Sequence, residues 1–256
     1  MPIPHTPAAG ELVELGRFDI PGVATGRRVR AYLPARRPKR AAPRRALYLF
    51  DGQNLFDDAG SFAGAWHAHR ALDRYALRRA NPPVVIAIDH GHHARLEELT
   101  PFRVGHRGGG GEAFTRWVAA TLAPHLRAEL GLSAAPVDAI IGGSSLGGLA
   151  ALYAHFAFPE VFGGAMCLSP SLWFGRAQMV DFIVGRGVPW TSKIYLDVGG
   201  RESRHTMIAA TAAMARLLEA RGYTSARLRF REEAQGRHHE RAWRRRLPGA
   251  LRFLFG

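Results

Sequence analysis

Short aliphatic and β-branched runs alternate along this chain with longer segments that are apolar on one side only. The first two runs, at 12–20 and 28–33, alternate in the way that half-buried strands do. Six further runs predict strands at 46–50, 84–89, 139–143, 165–168, 193–198 and 226–231. The short, continuously apolar character of several of these runs is typical of strands that are buried on both faces of a sheet.

The longer segments carry apolar residues at helical spacing. They predict helices at 61–79, 112–130, 146–158, 176–184, 206–221 and 240–255. After an initial pair of strands, strand and helix therefore alternate. This order predicts an α/β fold with a mostly parallel central sheet, an antiparallel N-terminal strand region and helices on both faces. We find no internal repeat and no linker, and 256 residues suit one domain, so a single domain over 1–256 is predicted.

The chain is strongly basic, with 35 Lys and Arg against 21 Asp and Glu and a formal net charge of +14. Such a charge attracts polyanions. The cations are nevertheless scattered rather than gathered in one recognition helix, which argues against a nucleic-acid partner. The densest run, at 36–40, is interpreted as a solvated loop between two strands.

The single cysteine and the N-terminus help to predict the cellular compartment of the protein. Cys167 lies in an apolar run and has no second cysteine to pair with, so a buried thiol is predicted. The first five residues do not resemble a signal peptide, and no segment approaches the length of a membrane span. We therefore expect a cytoplasmic protein that makes no membrane contact. The sequence does not define its oligomeric state.

A serine stands between a predicted strand and a predicted helix, in Gly143-Ser144-Ser145-Leu146-Gly147. This is the G-x-S-x-G pattern of a nucleophile elbow, in which a sharp turn projects the serine hydroxyl from the edge of the sheet. The position at a helix N-terminus favours negative charge on an attacked carbonyl oxygen. The alternative is a Gly-rich packing turn. The flanking strand and helix favour Ser145 as the nucleophile of an α/β hydrolase.

A serine nucleophile needs a histidine base and a carboxylate that orients the histidine, and in α/β hydrolases these follow in the order Ser, acid, His. His238 and His239 lie in the polar loop before the last helix, and either fits as the base. Glu202 follows the strand predicted at 193–198, where catalytic groups of parallel sheets collect. Asp197, inside that strand, is the alternative acid, and we favour Glu202.

Two backbone N–H groups are expected to hold the oxyanion. The first belongs to Leu146, directly after the nucleophile, and the second should come from the loop after the strand at 46–50. The candidate there is the N–H of Gln53, in Asp51-Gly52-Gln53-Asn54-Leu55-Phe56. As an alternative, Asp51-Gly52 is simply a turn.

Together, several segments resemble the putative-esterase family of α/β hydrolases, which includes enterochelin-esterase-like proteins and other predicted bacterial hydrolases. The matching segments are 51–57, 61–66, 95–102, 142–148, 158–163, 169–173, 195–199 and 238–243. The resemblance implies an α/β-hydrolase fold and ester hydrolysis through a Ser–acid–His triad. It also implies His238 as the base, from the pattern His-x-Glu-x-x-Trp, and it supports Glu202 as the acid and Gln53 in the oxyanion loop.

The resemblance leaves the acyl group open, because the family is also similar to feruloyl and acetyl-xylan esterases and to mycolyl-transfer proteins. Enterochelin esterases carry an additional N-terminal domain, whereas this chain begins almost directly at the predicted sheet, and this weakens the expectation of a siderophore substrate. The candidates for substrate binding are Asp51, Asn54, Trp173, Arg201 and Arg237.

The two arginines, with Arg204, flank the predicted acid and base and suggest a small anionic ester as substrate. His90, His92 and His93 lack a carboxylate or thiol partner at ligand spacing, so we predict neither a metal nor an organic cofactor. An acyltransferase that uses the same acyl-enzyme is the alternative function. A non-catalytic protein that binds polyanions is a more distant one.

Overall fold

The computed structural model describes residues 9–35, 42–59, 61, 63–189 and 192–256. Eight strands form one sheet. In chain order they are β1 (Glu11–Ile20), β2 (Ala24–Leu33), β3 (Ala46–Phe50), β4 (Val84–Ile88), β5 (Ala139–Ser144), β6 (Gly164–Leu168), β7 (Lys193–Gly199) and β8 (Leu228–Glu233). Their spatial order is β1-β2-β4-β3-β5-β6-β7-β8. β1 and β2 are antiparallel to each other, β2 is antiparallel to β4, and all other neighbours are parallel.

Within the described residues, eight α-helices connect and flank these strands. They are α1 (Ala68–Ala76), α2 (Arg95–Leu99), α3 (Gly111–Trp117), α4 (Ala123–Leu130), α5 (Leu146–Ala157), α6 (Arg176–Val184), α7 (Ala209–Ala220) and α8 (Glu240–Phe255). The turns of residues Val118–Leu122 join α3 to α4 without a break. Two of the helices, α1 and α8, pack against each other on one face of the sheet.

The central strands are buried on both faces, and alternate residues therefore enter different cores. In β3, Tyr48 and Phe50 pack with α3 to α7, whereas Leu47 and Leu49 pack with α1 and α8. This is the period of two that a strand imposes on its side chains. The predicted α/β fold with helices on both faces is confirmed.

The boundaries differ from the sequence prediction mainly around α1. The predicted helix at 61–79 is reduced to nine residues, Ala68–Ala76. Two residues ahead of it have left-handed backbone, Gly64 with φ 88° and His67 with φ 48°, and such conformations cannot continue a right-handed helix. α2 was not predicted, because five residues give too short a periodic pattern.

Some sequence predictions concern residues outside the described part of the chain. The basic run at 36–40 and the N-terminus through residue 8 belong there. The single-domain organisation over 1–256 and the cytoplasmic location stay predictions. Cys167 is fully buried, as expected, and burial raises the pKa of its thiol. None of the helices among the described residues has the length and apolar character that crossing a bilayer requires.

Candidate active site

Ser145 lies at the turn from β5 into α5, in a backbone conformation that an L-residue rarely adopts. Its φ is 56° and its ψ is −122°. The turn needs glycine on both sides because the strand and helix approach closely. A Cβ on Gly143 would lie 2.7 Å from the carbonyl carbon of Gly147, and a Cβ on Gly147 would lie 3.0 Å from a carboxylate oxygen of Asp51. Ser145 therefore occupies a strained strand-to-helix turn of the elbow type.

A chain of hydrogen bonds connects Ser145, His238 and Glu202. Ser145 Oγ is 2.9 Å from His238 Nε2, and His238 Nδ1 is 2.9 Å from Glu202 Oε2. The three residues come from the ends of β5, β7 and β8, which meet at the carboxyl edge of the parallel sheet. The side chain of Glu202 is 1% exposed and that of His238 is 37% exposed, so the chain runs from the interior to the solvent.

The Glu202 carboxylate is held on its other side as well. Oε1 accepts hydrogen bonds from Ser169 Oγ at 2.6 Å and from the Gly199 N–H at 2.9 Å. Burial opposes ionisation here, but the hydrogen bonds from His238 and Ser169 outweigh it and leave the pKa of Glu202 below its ordinary value. The carboxylate is therefore ionised and fixed in orientation at neutral pH.

A second polar layer lies beneath Glu202. Ser169 Oγ accepts hydrogen bonds from Trp243 Nε1 at 3.2 Å and from Arg246 Nη2 at 2.9 Å. Arg246 also contacts Asp197 Oδ1 at 2.9 Å. Asp197 is fully buried, and burial raises its pKa to about 7 although Arg246 acts in the opposite direction. Asp197, the alternative acid, thus pairs with Arg246, whereas Glu202 contacts the histidine.

The two candidate oxyanion donors lie at the starts of helical turns. Leu146 is the first residue of α5, and Gln53 lies in the short turn Gly52–Asn54 that follows β3. The first N–H groups of a helix have no partner within it, which leaves them available to an oxyanion. The Gln53 side chain accepts a hydrogen bond from the His90 N–H at 3.1 Å, and this contact ties the loop to the residues after β4.

A cavity of about 570 Å³ opens over Ser145. Asp51 and Asn54 line it, as do His90, Arg95, His239 and Glu240. Trp173, Arg201 and Arg237 are not among the described residues that line it. All three are exposed. A role for them in binding substrate stays a prediction.

The charged wall of the cavity is largely neutralised within the protein. Arg95 donates to both carboxylate oxygens of Asp51, at 2.7 and 2.8 Å, and this carboxylate is 3% exposed. Burial lowers the pKa of His90 to about 4, which keeps its imidazole neutral, and burial raises the pKa of Glu240. The sequence reasoning did not single out Arg95 or Glu240, although both lie in segments that carry the family resemblance.

The fold and this arrangement of serine, histidine and carboxylate define the class of α/β hydrolases. The chain belongs to the putative esterase family, whose model matches residues 22–254. Family membership places it among the enzymes that hydrolyse esters. Within the described residues, no group of three or more His, Cys, Asp or Glu is placed to hold a metal ion.

Three relatives show the extent of the similarity. The uncharacterized protein YbbA of Bacillus subtilis (strain 168) is 24% identical over 246 residues, which cover 91% of this chain and 94% of YbbA. The iron(III) salmochelin esterase of Escherichia coli O6:H1 is 32% identical over 151 residues, or 58% of this chain and 33% of that protein. The crystal structure of the BES protein from Bacillus cereus matches with a TM-score of 0.77 and 18% identity, covering 95% of this chain and 94% of that one.

Proposed function

We propose that this chain is a serine esterase that hydrolyses a small carboxylic ester through an acyl-enzyme, with Ser145 as nucleophile, His238 as base and Glu202 as the acid that orients the base. The observation that carries the proposal is the continuous hydrogen-bonded chain from Ser145 Oγ through both ring nitrogens of His238 to Glu202. A serine hydroxyl is a weak nucleophile, and it becomes competent when a positioned imidazole removes its proton.

The geometry supports one tautomer of the histidine. Since Glu202 is ionised, His238 Nδ1 carries a proton and its N–H donates a hydrogen bond to Oε2, which leaves Nε2 free to accept the Ser145 proton. As Oγ attacks the ester carbonyl, the imidazole becomes an imidazolium that the Glu202 carboxylate stabilises. The imidazolium then protonates the departing alkoxide. Water activated by the same nitrogen releases the acid and regenerates the serine.

The oxyanion is assigned to the N–H groups of Gln53 and Leu146. Donors of this kind hydrogen-bond the charge that develops in the transition state, and losing one costs about a hundredfold or more in rate. The cavity volume of about 570 Å³ falls in the range of small-molecule sites. The relationship to the salmochelin esterase supports including iron(III) siderophore esters in a substrate panel.

The test is labelling with a fluorophosphonate probe and peptide mapping, together with hydrolysis of short p-nitrophenyl esters. Ser145→Ala should lose the label and the activity. Ser144→Ala is the matched control: Ser144 also lines the cavity, but it ends β5 rather than occupying the turn. Label on Ser144, or unchanged hydrolysis by Ser145→Ala, would refute the assignment.

The neighbouring histidines provide a second comparison. His239 caps α8, and its Nδ1 accepts a hydrogen bond from the Ala242 N–H at 3.2 Å. His239→Ala should therefore cost about 1 kcal/mol of stability but keep the chemical step. His238→Ala should abolish acylation. Product analysis with added alcohols then separates hydrolysis from acyl transfer, because both reactions share the acyl-enzyme.

A further inference from the structure

A basic groove lies at the edge of the sheet, between β7, β8 and the C-terminal half of α8. Lys193 and Tyr195 of β7 and Arg229 and Arg231 of β8 form its floor, and the register pairs Tyr195 with Arg229. These residues share one face because strand side chains alternate. Gly249, Arg252 and Phe253 of α8 form the opposite wall. The cavity in this open groove measures about 380 Å³, which is within the range of ligand sites.

The groove holds four cations that are not neutralised within the described chain. Lys193, Arg229, Arg231 and Arg252 make no ion pair with any carboxylate of the described residues, and no carboxylate of those residues lines this cavity. This contrasts with the active-site cavity, where Asp51 neutralises Arg95.

Two of the cations contact the same aromatic ring of α8. The Arg229 guanidinium lies 5.3 Å and Lys193 Nζ lies 5.9 Å from the centroid of the same Phe253 ring. Lys193 is further fixed by its hydrogen bond to the Phe253 carbonyl at 3.5 Å. These contacts hold both cations against the wall of the groove.

The wall of the groove departs from good helix formers. Gly249 stands in the interior of α8, where glycine is a poorer helix former than alanine. Gly249 leaves open space beside the floor: a Cβ there would first meet the Tyr195 hydroxyl at 3.5 Å, so a longer side chain would project into the groove. Gly249 thus lies where an open groove requires a small side chain.

We propose that this groove binds a small polyphosphorylated ligand, with the three arginines donating to phosphate oxygens and Lys193 adding a fixed positive charge. Guanidinium groups match phosphate geometry and keep their charge at all relevant pH values. The groove is separate from the site at Ser145, because Arg252 lies about 18 Å along α8 from Glu240 in the active-site cavity.

The surroundings extend the positive field. On its other side, Arg252 borders a cavity of about 560 Å³ that is also lined by Arg74, Arg78 and Arg79. Two carboxylates, Asp197 and Glu233, line a smaller cavity of about 100 Å³ that adjoins the groove, and there Asp197 pairs with Arg246. Arg231 and Arg252 also line that smaller cavity, whereas the groove is lined by four cations and by no carboxylate of the described residues.

The experiment is calorimetric titration of the full chain with inorganic tripolyphosphate at physiological ionic strength. We expect saturable binding of one equivalent, and the double variant Arg229→Gln/Arg252→Gln should weaken it at least about tenfold, as loss of charge-assisted hydrogen bonds implies. The matched control is Arg176→Gln/Arg216→Gln, which removes two exposed arginines from α6 and α7 and should change affinity less than about twofold.

Ester hydrolysis and unfolding of the groove variant should match those of the wild type, which shows that the variant is folded. Ser145→Ala should bind tripolyphosphate normally, so failure of the esterase proposal leaves this test intact. The proposal is overturned if wild type shows no saturable binding, or if both double variants lose affinity equally. Preferential binding to anionic vesicles or to single-stranded DNA would also overturn the assignment to a small ligand.

Discussion

Arg246 connects the buried polar layer to the active site, and replacing it with Met has a consequence that depends on pH. The residue is 5% exposed, and Met keeps most of its apolar stem while removing the charge. In wild type the guanidinium contacts Asp197 and Ser169, each at 2.9 Å. Breaking a buried ion pair by deleting one partner costs about 3–5 kcal/mol, because the remaining charge stays buried without compensation.

That cost applies only where Asp197 is ionised. Its pKa is raised to about 7 in the folded protein, against an ordinary value of 3.8, so between these values the folded protein binds a proton that the unfolded chain has released. Stability conferred by Asp197 therefore falls as the pH rises through this window. Arg246 lowers the pKa of Asp197, so without Arg246 the pH range in which the folded protein keeps this proton extends upward. At about pH 5, Asp197 is neutral in both proteins, and Arg246→Met should cost the hydrogen bonds together with the contact between Arg246 Nη2 and the ionised Glu202 Oε1 at 3.8 Å, about 1–2 kcal/mol. At about pH 8.5 the full 3–5 kcal/mol is expected.

Urea unfolding of wild type and Arg246→Met at the two pH values measures the difference. Arg245→Met is the matched control, because it removes an exposed arginine from the neighbouring position of α8 and should stay within about 0.5 kcal/mol of wild type. In Arg246→Met, the kcat of ester hydrolysis should fall by a larger factor than KM changes. Arg246 supports Glu202 through Ser169 and is not among the described residues lining the cavity. An equal loss of stability at both pH values would refute the reasoning.

Three further predictions follow from single positions. Gly143→Ala should cost about 2 kcal/mol or more in chemical unfolding and remove hydrolysis, since its Cβ would lie 2.7 Å from the backbone of Gly147; stability equal to wild type would contradict this. Gly249→Ala should raise the free energy of unfolding by about 1 kcal/mol, because the nearest contact, the Tyr195 hydroxyl at 3.5 Å, leaves room for a methyl group; a lower melting temperature would contradict it. The lowered pKa of Glu202 means that its ionised form stabilises the fold above about pH 4.5, the ordinary value, and that this contribution is lost as the pH falls through the folded-state pKa. The free energies of unfolding of Glu202→Gln and wild type, measured at decreasing pH, should therefore converge. A difference in stability that stays constant with pH would contradict the assignment.

Local periodicity predicted the order of strands and helices, because most elements bury their side chains with a period that the sequence displays. The strand-to-helix turn at Ser145 was likewise visible, since its glycines and flanking elements are consecutive in the chain. The spatial order of the strands was not visible in the sequence: β4 lies between β2 and β3, although β3 precedes β4 in the chain. That order depends on which faces pack against which helices, and hydrophobic pattern alone does not encode it.

The environment of the candidate acid shows most clearly what the sequence could not predict. Residue types and chain order narrowed the base to two adjacent histidines, and the structure gives His238 the contact with Ser145 and His239 the cap of α8. The support of Glu202 by Ser169 and Arg246 was not foreseen. Ser169 and Arg246 are 77 residues apart, and neither belongs to a motif with a fixed spacing to the other. Such contacts are products of the tertiary fold.

The arginines of α8 explain why the overall charge was a poor guide to function. The helix carries Arg246 on its buried face, where the side chain pairs with Asp197, and Arg252 at an exposed position, where it borders the basic groove. Arg245 lies beside the first of these in sequence, yet it is exposed. A rotation of about 100° per residue places neighbouring helix positions in different environments, so equal residue types acquire unrelated roles. The net charge of +14 does not distinguish these environments, because a cation paired with a carboxylate, as Arg246 is, adds nothing to it, and exposed arginines outside the groove contribute as much as those within it.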